Sequence, residues 1–286
     1  MRNRLKSKIA YLYVFFIAMA LLHGVRLIRK ACDYREADPG YAKKEVVLEN
    51  GALRLVFSNG YITAHCGQLQ FTENSGVACF FSVKGIPYAS FKGVWEIEKI
   101  SQVELSAASE WPGLPIKQNW HFSLKDGKIS WQVNLESSED IVINHIGLVF
   151  SFKDIYRKWA SFYEHGEMPV LDVLQQKQNI NSQFALNPLG LVANGKEKKY
   201  FSAIGLNFKE DVFLKEVLLS SRRDMFSKAM FSCVSIGGEE ALKIHKNEKI
   251  ILSSGEACIF NKQKELSEYF IEVKTDEEQL SARSII

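Results

Sequence analysis

Cysteine is sparse in this sequence and nowhere paired for chemistry. The five cysteines, Cys32, Cys66, Cys79, Cys233 and Cys258, form no C-x-x-C pair. The close spacing of a zinc ribbon or a redox dithiol is therefore missing, and neither a metal ion nor a cofactor is expected. Cys66 and Cys79 leave two readings open, a bridge between neighbouring strands or buried free thiols. Also absent are GxSxG, HExxH, a P-loop and GxGxxG, and with them the signatures of serine hydrolases, zinc proteases and nucleotide-binding enzymes. An excess of positive charge is missing from most of the chain. Seven of the 36 basic residues fall within residues 1–30, where no acidic residue occurs. The remainder holds 29 basic against 33 acidic residues, a net charge of −4, which is not a surface for nucleic acid. There is no internal repeat and no low-complexity tract.

The longest apolar run is N-terminal. IAYLYVFFIAMALLHGV, residues 9–25, carries no formal charge, and counting on to Ile28 gives 20 residues, roughly 30 Å as a helix and about one hydrocarbon thickness. Arg2, Arg4, Lys6 and Lys8 favour a cytoplasmic N-terminus, and Arg26 can snorkel to the interface. No small-x-small cleavage site precedes Arg26, so an uncleaved signal anchor is preferred to a signal peptide. Charged flanks at both ends speak against a buried core helix. Arg29-Lys30-Ala31 before Cys32 is not a lipobox. The expected organisation is a cytoplasmic tip and membrane anchor over residues 1–30, with the membrane met by residues 9–28. A polar stalk follows over 31–43, then a β-sandwich domain over 44–275 and a C-terminal tail over 276–286.

With 286 residues of which 47% are hydrophobic, the chain can bury a sizeable core. From residue 45 onward, short apolar runs are broken by Asn50-Gly51, Asn59-Gly60 and Gly67, residues that supply the positive φ of tight hairpins. Further strand-like runs lie at 77–83, 93–100, 117–135, 140–152, 199–208, 212–219, 230–236, 240–252 and 269–275. The fold class expected is all-β, a large antiparallel β-sandwich with a short helical insertion, preceded by the transmembrane helix. The insertion is DIYRKWASFYEH, residues 154–165. It sets Ile155, Tyr156, Trp159, Phe162 and Tyr163 at helical spacing, with Asp154 as cap and Gly166 and Pro169 beyond its end.

The stretch KQNWHFSLKDGKISWQVNL, residues 117–135, is the most legible part. An Asp126-Gly127 turn sets Phe122 against Trp131, His121 against Gln132 and Asn119 against Asn134. Alternation then puts Trp120, Phe122, Leu124, Trp131, Val133 and Leu135 on a core face. The other face carries Asn119, His121, Ser123, Ser130, Gln132 and Asn134, rich in hydrogen-bonding groups and nearly without charge. That chemistry suits a neutral polyhydroxylated ligand; a plain solvated face is the alternative. Near Gly/Pro-rich turns, Tyr88, Phe91, Trp95 and Trp111 are stacking candidates for a pyranose ring, or else aromatics tucked under a sheet edge.

VVLENGALRLVFSNGYIT (46–63), LPIKQNWHFSLKDGKISWQVNLE (114–136) and ALKIHKNEKIILSSGEACIF (241–260) together resemble the large β-supersandwich domains of the galactose-mutarotase-like class, in particular those attached to bacterial envelope polysaccharide-processing proteins. The resemblance spans about residues 44–275. It implies two facing antiparallel sheets with a carbohydrate ligand on the concave face. An aldose epimerase of that class implies paired histidines and an acidic base. Asn144-His145 is similar to an Asn-His of such enzymes, but the IGLVFSF that follows departs from their polar and aromatic continuation and argues against epimerase activity. The leading expectation is a membrane-anchored, extracytoplasmic carbohydrate-binding or accessory domain acting on envelope polysaccharide, with catalytic residues unassigned. The alternatives are a polysaccharide lyase or epimerase using His121 with Glu136, Glu164 or Glu167 as an acid/base pair, and a scaffold for an envelope protein partner.

Overall fold

A computed structural model describes residues 45–168, 180–183, 187–194, 201–209, 212–214, 216–223, 230–237 and 241–283. The expected membrane anchor, the stalk and Cys32 lie outside the described residues. Among the described residues, no helix is long and apolar enough to cross a membrane.

The chain begins as a meander, β1 (Glu45–Asn50), β2 (Leu53–Ser58) and β3 (Tyr61–Cys66). The turns are made by residues that tolerate the left-handed region, with Gly51 at φ 60°, Asn59 at 45° and Gly60 at 77°. There follow β4 (Leu69–Gln70), β5 (Thr72–Val83), β6 (Ile86–Ala89), β7 (Val94–Glu98), β8 (Glu104–Glu110), β9 (Ile116–Lys125), β10 (Lys128–Ser137) and β11 (Ile141–Lys153). The second half contributes β12 (Lys158–Ala160), β13 (His165–Glu167), β14 (Ile180–Gln183), β15 (Leu189–Val192), β16 (Ala203–Phe208), β17 (Glu216–Arg223), β18 (Met230–Gly237), β19 (Leu242–Ile244) and β20 (Lys249–Phe260). A helix, α1 (Gln263–Arg283), closes the described chain.

These strands form two antiparallel sheets. The first runs β1-β2-β3-β5-β11-β18-β17-β14, with β4, β6 and β19 paired at its flanks; the second runs β13-β12-β15-β16-β20-β10-β9-β8-β7. The β9–β10 hairpin has the expected register, with Phe122 opposite Trp131, His121 opposite Gln132 and Asn119 opposite Asn134. Its core face is fully buried, Trp120 at 1% exposure and Trp131 at 3%. The core lies between the sheets. Phe57 of β2 meets Trp95 of β7 edge-on at 5.1 Å and Trp120 of β9 at 6.2 Å, and Phe150 of β11 meets Trp131 of β10 at 5.0 Å. The all-β sandwich is thus as expected.

Two elements differ from expectation. Residues 154–165 are not a helix. Asp154 binds the Arg157 guanidinium instead of capping a turn, with Nε donating to Oδ1 at 3.0 Å, and Lys158–Ala160 then pairs as β12 with β13 and β15. Of the five apolar residues at helical spacing, Tyr156 and Trp159 are buried, whereas Phe162 and Tyr163 are 44% and 76% exposed at the hairpin tip. A single stripe never forms. Conversely, YFIEVKT (269–275) is helix, not strand. Leu266, Tyr269, Phe270 and Val273, spaced i, i+3, i+4, i+7, are all buried. Glu265 opens the helix by accepting the backbone N–H of Asn261 and Lys262 at 3.1 and 3.2 Å.

The helix packs on the outer face of the second sheet, where glycine makes room: a Cβ on Gly190 would stand 2.5 Å from Leu266, and one on Gly205 would stand 2.6 Å from Tyr269. α1 therefore covers the β15–β16 half of that face and, among the described residues, leaves the β7–β10 half open. Cys66 and Cys79 are free thiols, not a bridge. Burial pushes the Cys79 thiol up to about 12 and the Cys258 thiol up to about 11.

Candidate functional site

The open half of the outer face is built by alternation. Inward-facing Trp95, Leu105, Trp120 and Trp131 bind β7, β8, β9 and β10 into the core. The intervening residues must then face out. Register lines them up in rows across the strands. Glu98, Ser106, His121 and Gln132 form one row; Glu96, Ala108, Asn119 and Asn134 form the next. The second strand in each row supplies only Ser106 or Ala108. Large side chains flank small ones, and the sheet surface sinks along β8 into a cleft of about 580 Å³.

Glu96, Glu98, Asn119, His121 and Asn134 line this cleft, with Lys249 at its β20 margin. Ser106 Oγ lies 3.4 Å from His121 Nδ1. Gln132 Nε2 donates to Asn134 Oδ1 at 3.0 Å, which orients both amides. Asn134 is only 5% exposed. Among the described residues, Glu96 and Glu98 have no ion pair. The Cα atoms of Glu98 and His121, two strands apart, are separated by about 10 Å at ordinary strand spacing. A ligand lying over Ser106 would touch both.

The four polar residues expected on the hairpin thus share one surface, and three of them line the cleft. The aromatic candidates do not join them. Trp95 is buried on β7, its Nε1 donating to the Ser90 carbonyl at 2.8 Å. Trp111 is buried too, donating to the Ala89 carbonyl at 3.2 Å and meeting Phe81 edge-on at 4.9 Å. Both rings are consumed by the core and have no face for a sugar. Tyr88, half-buried on β6 of the first sheet, is stacked on Phe81 at 5.4 Å and belongs to the opposite sheet from the cleft. The acidic partners proposed for His121 are also elsewhere. Glu136 pairs in register with Lys117, about 13 Å along β9 from His121, and Glu164 and Glu167 belong to the β12–β13 end, beyond α1.

No protein-family model matches the chain, and no curated protein matches it. Solved structures do. A candidate aldose 1-epimerase from Escherichia coli K12 superposes with a TM-score of 0.52 at 12% identity, over 76% of this chain and 99% of its own. A galactose mutarotase related enzyme from Lactobacillus acidophilus superposes with a TM-score of 0.53 at 9% identity, over 76% and 97%. The fold is galactose-mutarotase-like.

In this galactose-mutarotase-like sandwich the Asn144-His145 pair lies on the first sheet, far from the cleft in topology. Its strand β11 shifts register between Asn144 and Gly147, and His145 adopts φ 50°. A bulge of this kind re-aims the chain; here it turns His145 to solvent. The residues that sequence reasoning missed are Glu96, Glu98, Ser106 and Ala108. VWEIE alternates visibly, but ELSAASE is too small and polar to read as a strand. Without β8, nothing connects β7 to the hairpin. The face is therefore not free of charge, as the hairpin alone suggested: carboxylates form one wall.

Proposed function

We propose that the protein is a carbohydrate-binding domain that takes a saccharide in the cleft over β7–β10, held outside the cytoplasm by a membrane anchor at residues 9–28 and acting on envelope polysaccharide. The observation that carries the reading is the gathering of Asn119, His121 and Asn134 with Ser106 in one cleft, a set of donors and acceptors matched to hydroxyl groups. The fold it shares with proteins named for sugar chemistry supports the same ligand class. Each hydrogen bond lost to a neutral sugar weakens binding by about 0.5–1.5 kcal/mol. Asn119→Ala and Gln132→Ala are expected to keep the melting temperature and lose glycan affinity several-fold on a glycan array and by titration. Equal binding of every glycan by both variants and the parent chain would overturn the reading.

A second reading has one observation in its favour. Glu98 and His121 line the cleft on either side of the small Ser106, a placement open to an acid and a base flanking a bound ring. Turnover of a saccharide that is abolished in His121→Ala with binding retained would select a lyase or epimerase over a binding domain.

A further inference from the structure

Resting on the saccharide reading above, we infer that the ligand class of this cleft is an amino sugar with a free, protonated amine. Glu96 and Glu98 are both exposed, both line the cleft, and neither has an ion pair among the described residues. Two residues apart on one strand face, their Cα atoms are about 7 Å apart, close enough for one cation to lie between them. The opposite wall has a different character. Asn134 is 95% buried, since its exposure is 5%. Asn134 lines the cleft; its oxygen is taken by Gln132, and its amide nitrogen makes no hydrogen bond among the described residues. One wall therefore presents carboxylates without an ion pair and the other an amide donor left over for a ligand oxygen.

A wholly neutral sugar would satisfy the amide wall and leave the carboxylates with water alone. A uronic acid would bring like charge against them. An ammonium group on an otherwise hydroxylated ring satisfies both walls, because its three N–H donors make charge-assisted bonds to carboxylate oxygens. Lys249, the cation that also lines the cleft, does not neutralise this wall. It stands on β20, four strands from β7, roughly 19 Å at ordinary strand spacing, and its cross-strand neighbour is Glu136. Charge on an edge strand such as β7 also hinders edge-to-edge pairing. That role needs no ligand, and the experiment separates the two.

The test is titration of the full-length chain with tetramers of glucosamine and of galactosamine and with their N-acetylated counterparts, at low and at high salt. The expected result is that one amine form binds about ten-fold tighter than its acetylated partner, with an advantage that shrinks as salt rises. In the Glu96→Gln/Glu98→Gln double variant the ratio of amine to acetylated affinity falls to about two-fold or less, while the melting temperature stays unchanged. Equal affinity of amine and acetylated forms, or a preference that survives the double variant, overturns the amino-sugar inference and leaves the saccharide reading standing. Failure of every oligomer to bind, charged or neutral, at a normal melting temperature overturns the amino-sugar inference, and a glycan array without a hit overturns the saccharide reading with it.

Discussion

Trp131 shows how a single side chain fixes which face of the hairpin becomes the site. Its ring packs against Phe150 at 5.0 Å and Phe208 at 5.8 Å, and its Nε1 donates to Ser253 Oγ at 3.1 Å. Across the strand pair, Gly255 leaves the space the ring fills: a Cβ there would stand 2.5 Å from Cζ2. With Trp131 held inward, Gln132 has to face out, and so does His121 opposite it. Trp131→Ala is expected to cost about 3–5 kcal/mol, the range for deleting a large buried aromatic, as read by chemical denaturation. A variant with the parent stability that has lost only ligand binding would mean that the ring serves the site rather than the core. At this scale the sequence was informative wherever large residues alternated with polar ones. Trp120, Trp131, Asn119 and Gln132 could all be placed from period and turn alone. Trp95 and Trp111 could not, because a tryptophan beside a proline or glycine reads the same whether its ring is packed or free, and only the partner surfaces of Phe57 and Phe81 decide it.

Among the elements, β8 and α1 decide where the site can be. β8 contributes little but small side chains, and this thinness makes the cleft; it also hid the strand, since Ser and Ala carry no periodic apolar signal. α1 was hidden for the opposite reason. Tyr-Phe-Ile-Glu-Val is rich in strand-forming residues, yet the helical spacing of Leu266, Tyr269, Phe270 and Val273 has a flat, glycine-lined surface to bury against, and tertiary packing overrides propensity. Residues 154–165 failed the same way in reverse: helical spacing without a surface to receive the stripe. The docking of α1 is tested at Gly205. A Cβ there would lie 2.6 Å from Tyr269 and 3.0 Å from Phe260, so Gly205→Ala forces the helix or the ring to shift, at a cost of about 1–3 kcal/mol for overpacking. Hydrogen exchange is expected to accelerate across residues 263–275 while the amides of β9 and β10 stay protected. Unchanged protection of the helix would mean that α1 is held by something other than its glycine-lined seat.

For the whole molecule the relevant asymmetry is one of charge and polarity along the chain. All seven basic residues of 1–30 flank an uncharged apolar run, while the remaining residues carry a net charge of −4. A body of that sign gains nothing from an anionic membrane surface, and α1 is not apolar enough to cross a bilayer. Attachment, on the reading proposed here, therefore depends on the N-terminal run alone. Its four leading basic residues, Arg2, Arg4, Lys6 and Lys8, favour retention of that end in the cytoplasm, which would deliver the β-sandwich and its cleft to the other side, where the proposed polysaccharide ligand would be met. Fractionation is expected to recover the full-length chain in membranes, resistant to high salt, and a chain starting at residue 40 in the soluble fraction with its glycan affinity intact. Protease added to intact cells with a permeable outer layer is expected to reach the sandwich. A soluble full-length chain would remove the anchor, and a membrane-bound chain whose sandwich survives protease until the cells are lysed would reverse the orientation. Salt is the informative control, because a chain held by its basic residues alone would be released as the Debye length shrinks below about 5 Å, whereas one held by an apolar span would not.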